Sequence, residues 1–99
     1  MADYKGKVVT ITGAASGLGK GMATRFAQKG ARLSLADLDG ENLARFAEEL
    51  RAQNVEVLTT IMDVCDSDAV DSFAKESFAA FGGVDYCINN AGVHSMGSI

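Results

Sequence analysis

Apolar positions along this chain switch between the period of a buried strand and the period of an amphipathic helix, and the switches divide it into alternating segments. Residues 7–12, Lys-Val-Val-Thr-Ile-Thr, form a continuous strand-like run. From Leu18 the spacing becomes helical: Leu18, Met22 and Phe26 recur at i, i+4 and i+8, with Ala23 and Ala27 beside them, while Lys20, Arg25, Gln28 and Lys29 fall opposite. This predicts a helix over 18–29 that turns its apolar face inward. Gly30 ends it, and residues 31–36 (Ala-Arg-Leu-Ser-Leu-Ala) read as a second strand finishing at Asp37-Leu38-Asp39. Asp39 is a candidate N-cap for a helix over 41–53, in which Leu43, Phe46, Ala47 and Leu50 share a face. Residues 55–61 are β-branched and predict a third strand closing on Asp63-Val64. A third helix is expected over 67–81, acid-rich at its start and carrying Val70, Phe73, Ala74, Phe78 and Phe81 inward. Gly82-Gly83 stops it, and residues 84–88 form a fourth strand that ends in Asn89-Asn90-Ala91-Gly92.

Strands that alternate with single helices must run parallel, and right-handed crossovers then give an α/β sheet of order 3-2-1-4 with helices on its faces. The order reverses between strands one and four, so a ligand crevice is expected at their carboxyl ends. Two helices would cover one face and only one the other. The fourth strand would remain an apolar edge. Parallel sheets are normally covered on both faces. The chain is therefore expected to be the first part of a larger domain, or to borrow cover from another copy.

Composition narrows the function classes. With 47% hydrophobic and 22% charged residues in 99, the chain has the make-up of one ordinary globular domain. A net charge of −4 with scattered basic residues argues against a nucleic-acid binder. No apolar run approaches the roughly 20 residues that span a bilayer, and the first residues lack a signal-peptide core, so no membrane partner and a cytoplasmic location are expected. Cys65 and Cys87 are expected as buried or half-buried free thiols, since opposite sheet edges would separate them by roughly 14 Å, too far for a disulfide. Metal ligation is not indicated: Asp37 and Asp63 could hold magnesium, but nothing completes a shell.

The candidate chemistry lies at the strand ends. Thr12-Gly13-Ala14-Ala15-Ser16-Gly17-Leu18-Gly19 joins a strand to a helix through three glycines. Gly13 suits the tight turn, Gly17 leaves bare backbone for a ligand, and Gly19 lets the helix approach the strand; N–H groups at such a helix start bind anions, a diphosphate above all. An NTPase-type phosphate loop is excluded by Ala14, where that motif needs glycine, and by Gly21, where it needs Ser or Thr. Asp37 lies 20 residues beyond Gly17 and could accept both ribose hydroxyls of an adenosine while repelling a 2′-phosphate. Neither Ser16 nor Leu38 supplies a cation to offset that repulsion, which favours NAD over NADP. The alternative is a solvated turn aspartate. Asp63 could accept the adenine amino group, with the Val64 N–H on a ring nitrogen, or simply cap the following helix. Asn89, Asn90, Ala91 and Gly92 would form the far wall of the crevice, where asparagine can bond backbone across the gap or serve only as a structural loop former. His94 reads as a solvated loop residue.

These motifs, from Thr12 to Gly19 and then Asp37, Asp63-Val64 and Asn89-Asn90-Ala91-Gly92, together resemble the short-chain dehydrogenase/reductase family, across nearly the whole chain. The resemblance implies a Rossmann-type fold of about seven strands, of which the first four are present here. It further implies an NAD(P)-dependent oxidoreductase acting on an alcohol or ketone substrate, and a homo-oligomer, usually a dimer or tetramer. The cofactor-binding set it implies is Gly13, Ser16, Gly17, Leu18, Gly19, Asp37, Leu38, Asp63, Val64, Asn90, Ala91 and Gly92. The family's catalytic serine, its Tyr-x-x-x-Lys pair and a helix asparagine all lie downstream of Gly92. Tyr4 is followed four residues on by Val8, and Tyr86 by Asn90, so neither replaces the pair. The 99 residues alone are expected to be inactive. A non-catalytic dinucleotide-binding module, or a fragment that associates with another chain, is the alternative. Val93 to Ile99 could begin one wall of a substrate pocket.

Overall fold

A computed structural model describes residues 4–90. Four parallel strands, β1 (Val8–Thr12), β2 (Arg32–Asp37), β3 (Val57–Ile61) and β4 (Tyr86–Asn89), form one sheet of order β3-β2-β1-β4. The helices α1 (Gly17–Gln28), α2 (Gly40–Ala52) and α3 (Ser67–Phe81) connect them in turn. This is the order expected from the sequence. The register sets Val9 beside Leu33 and Tyr86, and Thr12 beside Ala36 and Asn89. Side chains alternate across a strand, so each face of the sheet is composed of every second residue.

On one face Val9, Ile11, Leu33 and Leu35 pack with Ala23 of α1 and with Leu43, Phe46 and Leu50 of α2. Burial of a side chain of this size contributes about 1.5–3 kcal/mol, so this is the main core. The α1 stripe differs from the expected one. Gly19 and Ala23 are its buried residues and Met22 and Phe26 pack at its margin, whereas Leu18 is 68% exposed. The contact runs through the glycine because the helix lies against the Gly13 backbone.

The other face carries α3, held by a small cluster of Ala36, Met62 and Phe73. Beside it a buried hydroxyl pair crosses from sheet to helix, Ser34 Oγ to Ser77 Oγ at 2.6 Å. Ser77 Oγ donates to the Phe73 carbonyl at 2.7 Å, so its only proton is used and Ser34 must be the donor within the pair. Ser77→Ala therefore leaves a buried donor unpaired and is expected to cost about 1–3 kcal/mol, while Ser34→Ala costs less. Urea unfolding of the two single variants and the double variant checks this; equal losses from both single changes would contradict it.

Among the described residues, part of this second face is open. Next to α3 a cavity of about 530 Å³ is lined by Thr10 of β1, Cys87 of β4, and Phe73, Ala74 and Phe78 of α3. Phe78, expected inward, is 60% exposed, and Ala74 is exposed as well, because α3 seats on the sheet through buried Phe73 and Ser77, with Ala69 and Val70 packed beside them, and turns these two positions away. Phe81 lies under the Arg32 guanidinium, 5.3 Å from the ring centre. Both cysteines are free, as expected, but exposed rather than buried: Cys65 follows β3 in a loop and Cys87 belongs to an edge strand.

Two strand limits shift for local reasons. Asn54 takes a left-handed φ of 67° and the Val55 N–H bonds back to the Leu50 carbonyl, so the exit from α2 consumes Val55 and β3 starts at Val57. The β1–β4 ladder begins with Val9 beside Tyr86, two residues later than expected. Just before it, Asp85 clamps the entry to β1: its carboxylate accepts the Val8 N–H at 2.8 Å and its N–H donates to the Val8 carbonyl at 2.9 Å. Among the described residues no helix is long and apolar enough to cross a membrane.

Candidate functional site

The carboxyl ends of β1, β2 and β3 meet around a cleft of about 120 Å³ lined by Thr12, Gly13, Asp37, Leu38, Asp63 and Val64, among others. Residues singled out from three separate stretches of the sequence thus share one surface. Gly13 leaves β1 with a φ of +68°, a conformation that L side chains rarely adopt, and the chain turns there into α1. A Cβ on Gly19 would fall on the Gly13 carbonyl oxygen and within 3.0 Å of Asn90 Nδ2. Gly17 has open space beside it. Ser16 and Leu18 are exposed at the helix entry.

The three helix starts differ in how their free N–H groups are met. Asp39 caps α2, its carboxylate accepting the Asn42 N–H at 3.2 Å and the Asn42 side chain at 2.7 Å. These bonds, the side-chain one foremost, hold its carboxyl below the usual carboxylate range. Asp66 caps α3 by accepting from the N–H groups of Asp68 and Ala69. At α1 the cap residue is Ser16, whose hydroxyl instead donates to the Gly13 carbonyl at 3.2 Å, and the first turn holds no acidic residue. The cap residue thus leaves the first N–H groups of the helix without a side-chain bond, and no acidic residue stands within its first turn, an arrangement that favours an external anion.

Asp37 stands between two turns. Its Oδ2 accepts the Ala15 N–H and its Oδ1 the Asp39 N–H, each at 2.9 Å. A carboxylate offers about four acceptor sites, so about two remain for ligand hydroxyls. Asp63 does not cap α3, contrary to one expectation: Asp66 does, and the Asp63 Oδ1 accepts the Cys65 N–H at 2.9 Å in a turn of its own. Capping needs the carboxylate at the residue next to the first helical turn, and the Val64–Asp66 segment separates Asp63 from it.

Across the reversal of strand order, Thr12 Oγ1 and Asn89 Oδ1 are 3.0 Å apart, and Asn90 Nδ2 donates to the Gly13 carbonyl at 3.2 Å. Asn90 therefore bonds backbone across the gap, joining the β4 end to the glycine turn. Ala91 and Gly92, expected beside it, and His94 lie outside the described residues. The tie from Asp37 to Ala15 has no signal in the sequence, since the pattern places the acid on its strand without stating what its oxygens meet. Among the described residues no group of three His, Cys, Asp or Glu side chains could hold a metal ion.

A parallel sheet of order 3-2-1-4 with a glycine turn opening α1 defines a Rossmann-type α/β unit. The chain belongs to the short chain dehydrogenase family, whose pattern matches residues 7–99. It is 39% identical over 93 residues to the (2S)-[(R)-hydroxy(phenyl)methyl]succinyl-CoA dehydrogenase subunit BbsD of Thauera aromatica, covering 94% of this chain and 38% of that protein. Levodione reductase of Leifsonia aquatica is 41% identical over 92 residues, covering 91% of this chain and 34% of the relative. A crystal structure of a short chain dehydrogenase/reductase from Burkholderia phymatum in complex with NAD superposes with a TM-score of 0.84 at 40% identity, covering 88% of this chain and 31% of that one. Carveol dehydrogenase from Mycobacterium avium in complex with NAD gives 0.81 at 29% identity, over 88% and 36%. The chain spans about a third of the length of these proteins.

Proposed function

We propose that this chain forms the cofactor-binding portion of an NAD(H)-dependent oxidoreductase acting on an alcohol/ketone pair. One observation carries the reading: Gly13, which opens the turn into α1, and the Asp37 carboxylate line one cleft, and Asp37 bonds that turn at the Ala15 N–H, next to a helix start whose cap residue makes no side-chain bond to it. The relatives' names, dehydrogenases and reductases, support the reaction class. The NAD named with two neighbouring structures supports the cofactor.

The residues present fit a dinucleotide. Backbone N–H groups at Ser16, Gly17, Leu18 and Gly19 would meet the diphosphate, with Gly13 shaping the turn that exposes them. The free acceptor sites of Asp37 would take the adenosine ribose hydroxyls, and its charge would disfavour a 2′-phosphate. Asp63 and the Val64 backbone would face the adenine, Leu38 would pack beside it, and Asn90, Ala91 and Gly92 would close the opposite wall. When bound, the nicotinamide ring supplies the hydride donor or acceptor. The chain's own part is to bind, orient and separate the two ends of the cofactor. No Tyr-x-x-x-Lys occurs in the 99 residues, so a proton-transferring group of the family's kind must come from outside them.

Calorimetric titration with NAD and NADP tests the reading. NAD is expected to bind more tightly, and Asp37→Ala to weaken NAD by roughly tenfold or more, as loss of hydrogen bonds to a charged group implies, and NADP by less. Equal losses for both cofactors would remove Asp37 from the ribose site.

A further inference from the structure

We infer that Asp37 is a positioning residue for the glycine turn, in addition to its proposed contact with the ribose. Segment 13–17 is the irregular backbone that must present N–H groups to an anion, and it is held at few points. The Ala14 N–H extends the β1–β2 ladder by bonding the Ala36 carbonyl at 3.2 Å. Ser16 Oγ and Asn90 Nδ2 both meet the Gly13 carbonyl, at 3.2 Å each. All of these are neutral bonds, and two of them converge on the same oxygen. The Ala15 N–H bond to Asp37 Oδ2, at 2.9 Å, is shorter and has an ionised acceptor. Bonds of that kind are roughly twice as strong as neutral ones.

The same carboxylate accepts the Asp39 N–H, and Asp39 caps α2. Asp37 thus ties the entry of α1 to the entry of α2 through its two oxygens, both anchored to the end of β2. Removing the side chain frees the tip of the glycine turn, even though residue 37 itself is not part of that turn. Any preference at the ribose 2′ position is then coupled to turn order: Asp37→Ala removes the repelling charge and the acceptor for Ala15 together, whereas Asp37→Asn removes the charge and keeps an acceptor oxygen. The coupling to ribose recognition rests on the function proposed above; the tie to Ala15 does not.

Amide hydrogen exchange on the intact protein without cofactor tests the tie independently of whether NAD binds. The Ala15 amide is expected to be protected in the wild type. In Asp37→Ala it should exchange roughly tenfold faster or more, as loss of a charge-assisted bond implies, with Asp37→Asn between the two. Val9, Leu33 and Leu35 amides should be unchanged in all three proteins. An unprotected Ala15 in the wild type, or the same Ala15 rate in wild type and Asp37→Ala, overturns the inference. So does a general loss of protection through β1 and β2 in Asp37→Ala, which would make the residue a support of the sheet rather than of the turn.

Discussion

Gly19→Ala is expected to lower NAD affinity by at least roughly tenfold and to destabilise the fold, although it adds a single methyl group to a helix. The added carbon would fall on the Gly13 carbonyl oxygen and within 3.0 Å of Asn90 Nδ2. Backbone cannot rotate away as a flexible side chain can, so α1 must shift outward from β1. Such overpacking costs about 1–3 kcal/mol, and here the displaced element is the one whose N–H groups face the proposed diphosphate site. Gly21→Ala is the control: a Cβ added there would meet nothing within 4 Å, and alanine is the better helix former by about 0.5–1 kcal/mol. Thermal unfolding and NAD calorimetry on both variants decide the matter. Gly19→Ala binding like the wild type would mean that the helix can move without disturbing the site.

Phe73→Ala is expected to produce the largest loss of stability, about 3–5 kcal/mol, the usual cost of truncating a buried aromatic residue. Phe73 is 4% exposed and is the one large ring in the cluster that seats α3. Its buried partners Ala36 and Met62 lie on the sheet side, so Phe73 is the buried side chain that α3 itself brings to the cluster, with Ala69 and Val70 only partly buried beside it, and the Ser34–Ser77 bond depends on the helix remaining in place. Met62 directly precedes Asp63-Val64, so loosening α3 also slackens the outer wall of the cleft. Urea unfolding gives the size of the effect. Exchange of α3 amides gives its location: rates unchanged along α3 would show that the helix is seated by something other than Phe73.

Much of this arrangement is legible in the sequence because its causes are local or topological. Strand and helix periods fix the seven elements, and parallel crossovers fix the strand order. Glycine spacing is equally legible, since a positive φ at Gly13 and a close approach at Gly19 are backbone requirements that few other residues meet. What periodicity does not convey depends on distances between elements. It puts Leu18 on the inward face of α1, but the helix comes so near β1 at Gly19 that the buried stripe rotates away from Leu18. It puts Phe78 inward, yet α3 buries Phe73 and Ser77 against the sheet and leaves Phe78 exposed. A thiol's usual tendency to burial does not reveal that Cys87 lies exposed on β4, the last strand of the sheet among the described residues. For Asp37 the position is legible and the occupation of its oxygens is not, because the Ala15 N–H comes from 22 residues away.

The Gly13 carbonyl accepts both Ser16 Oγ and Asn90 Nδ2, and α1 rests against the same peptide at Gly19. This single peptide group is therefore a datum point from which three paths are measured: the turn, the helix and the segment leaving β4. A rigid-body displacement of any of them must first break contact there. Asn90, where β4 gives out, is accordingly gauged from the same point as the proposed diphosphate cradle.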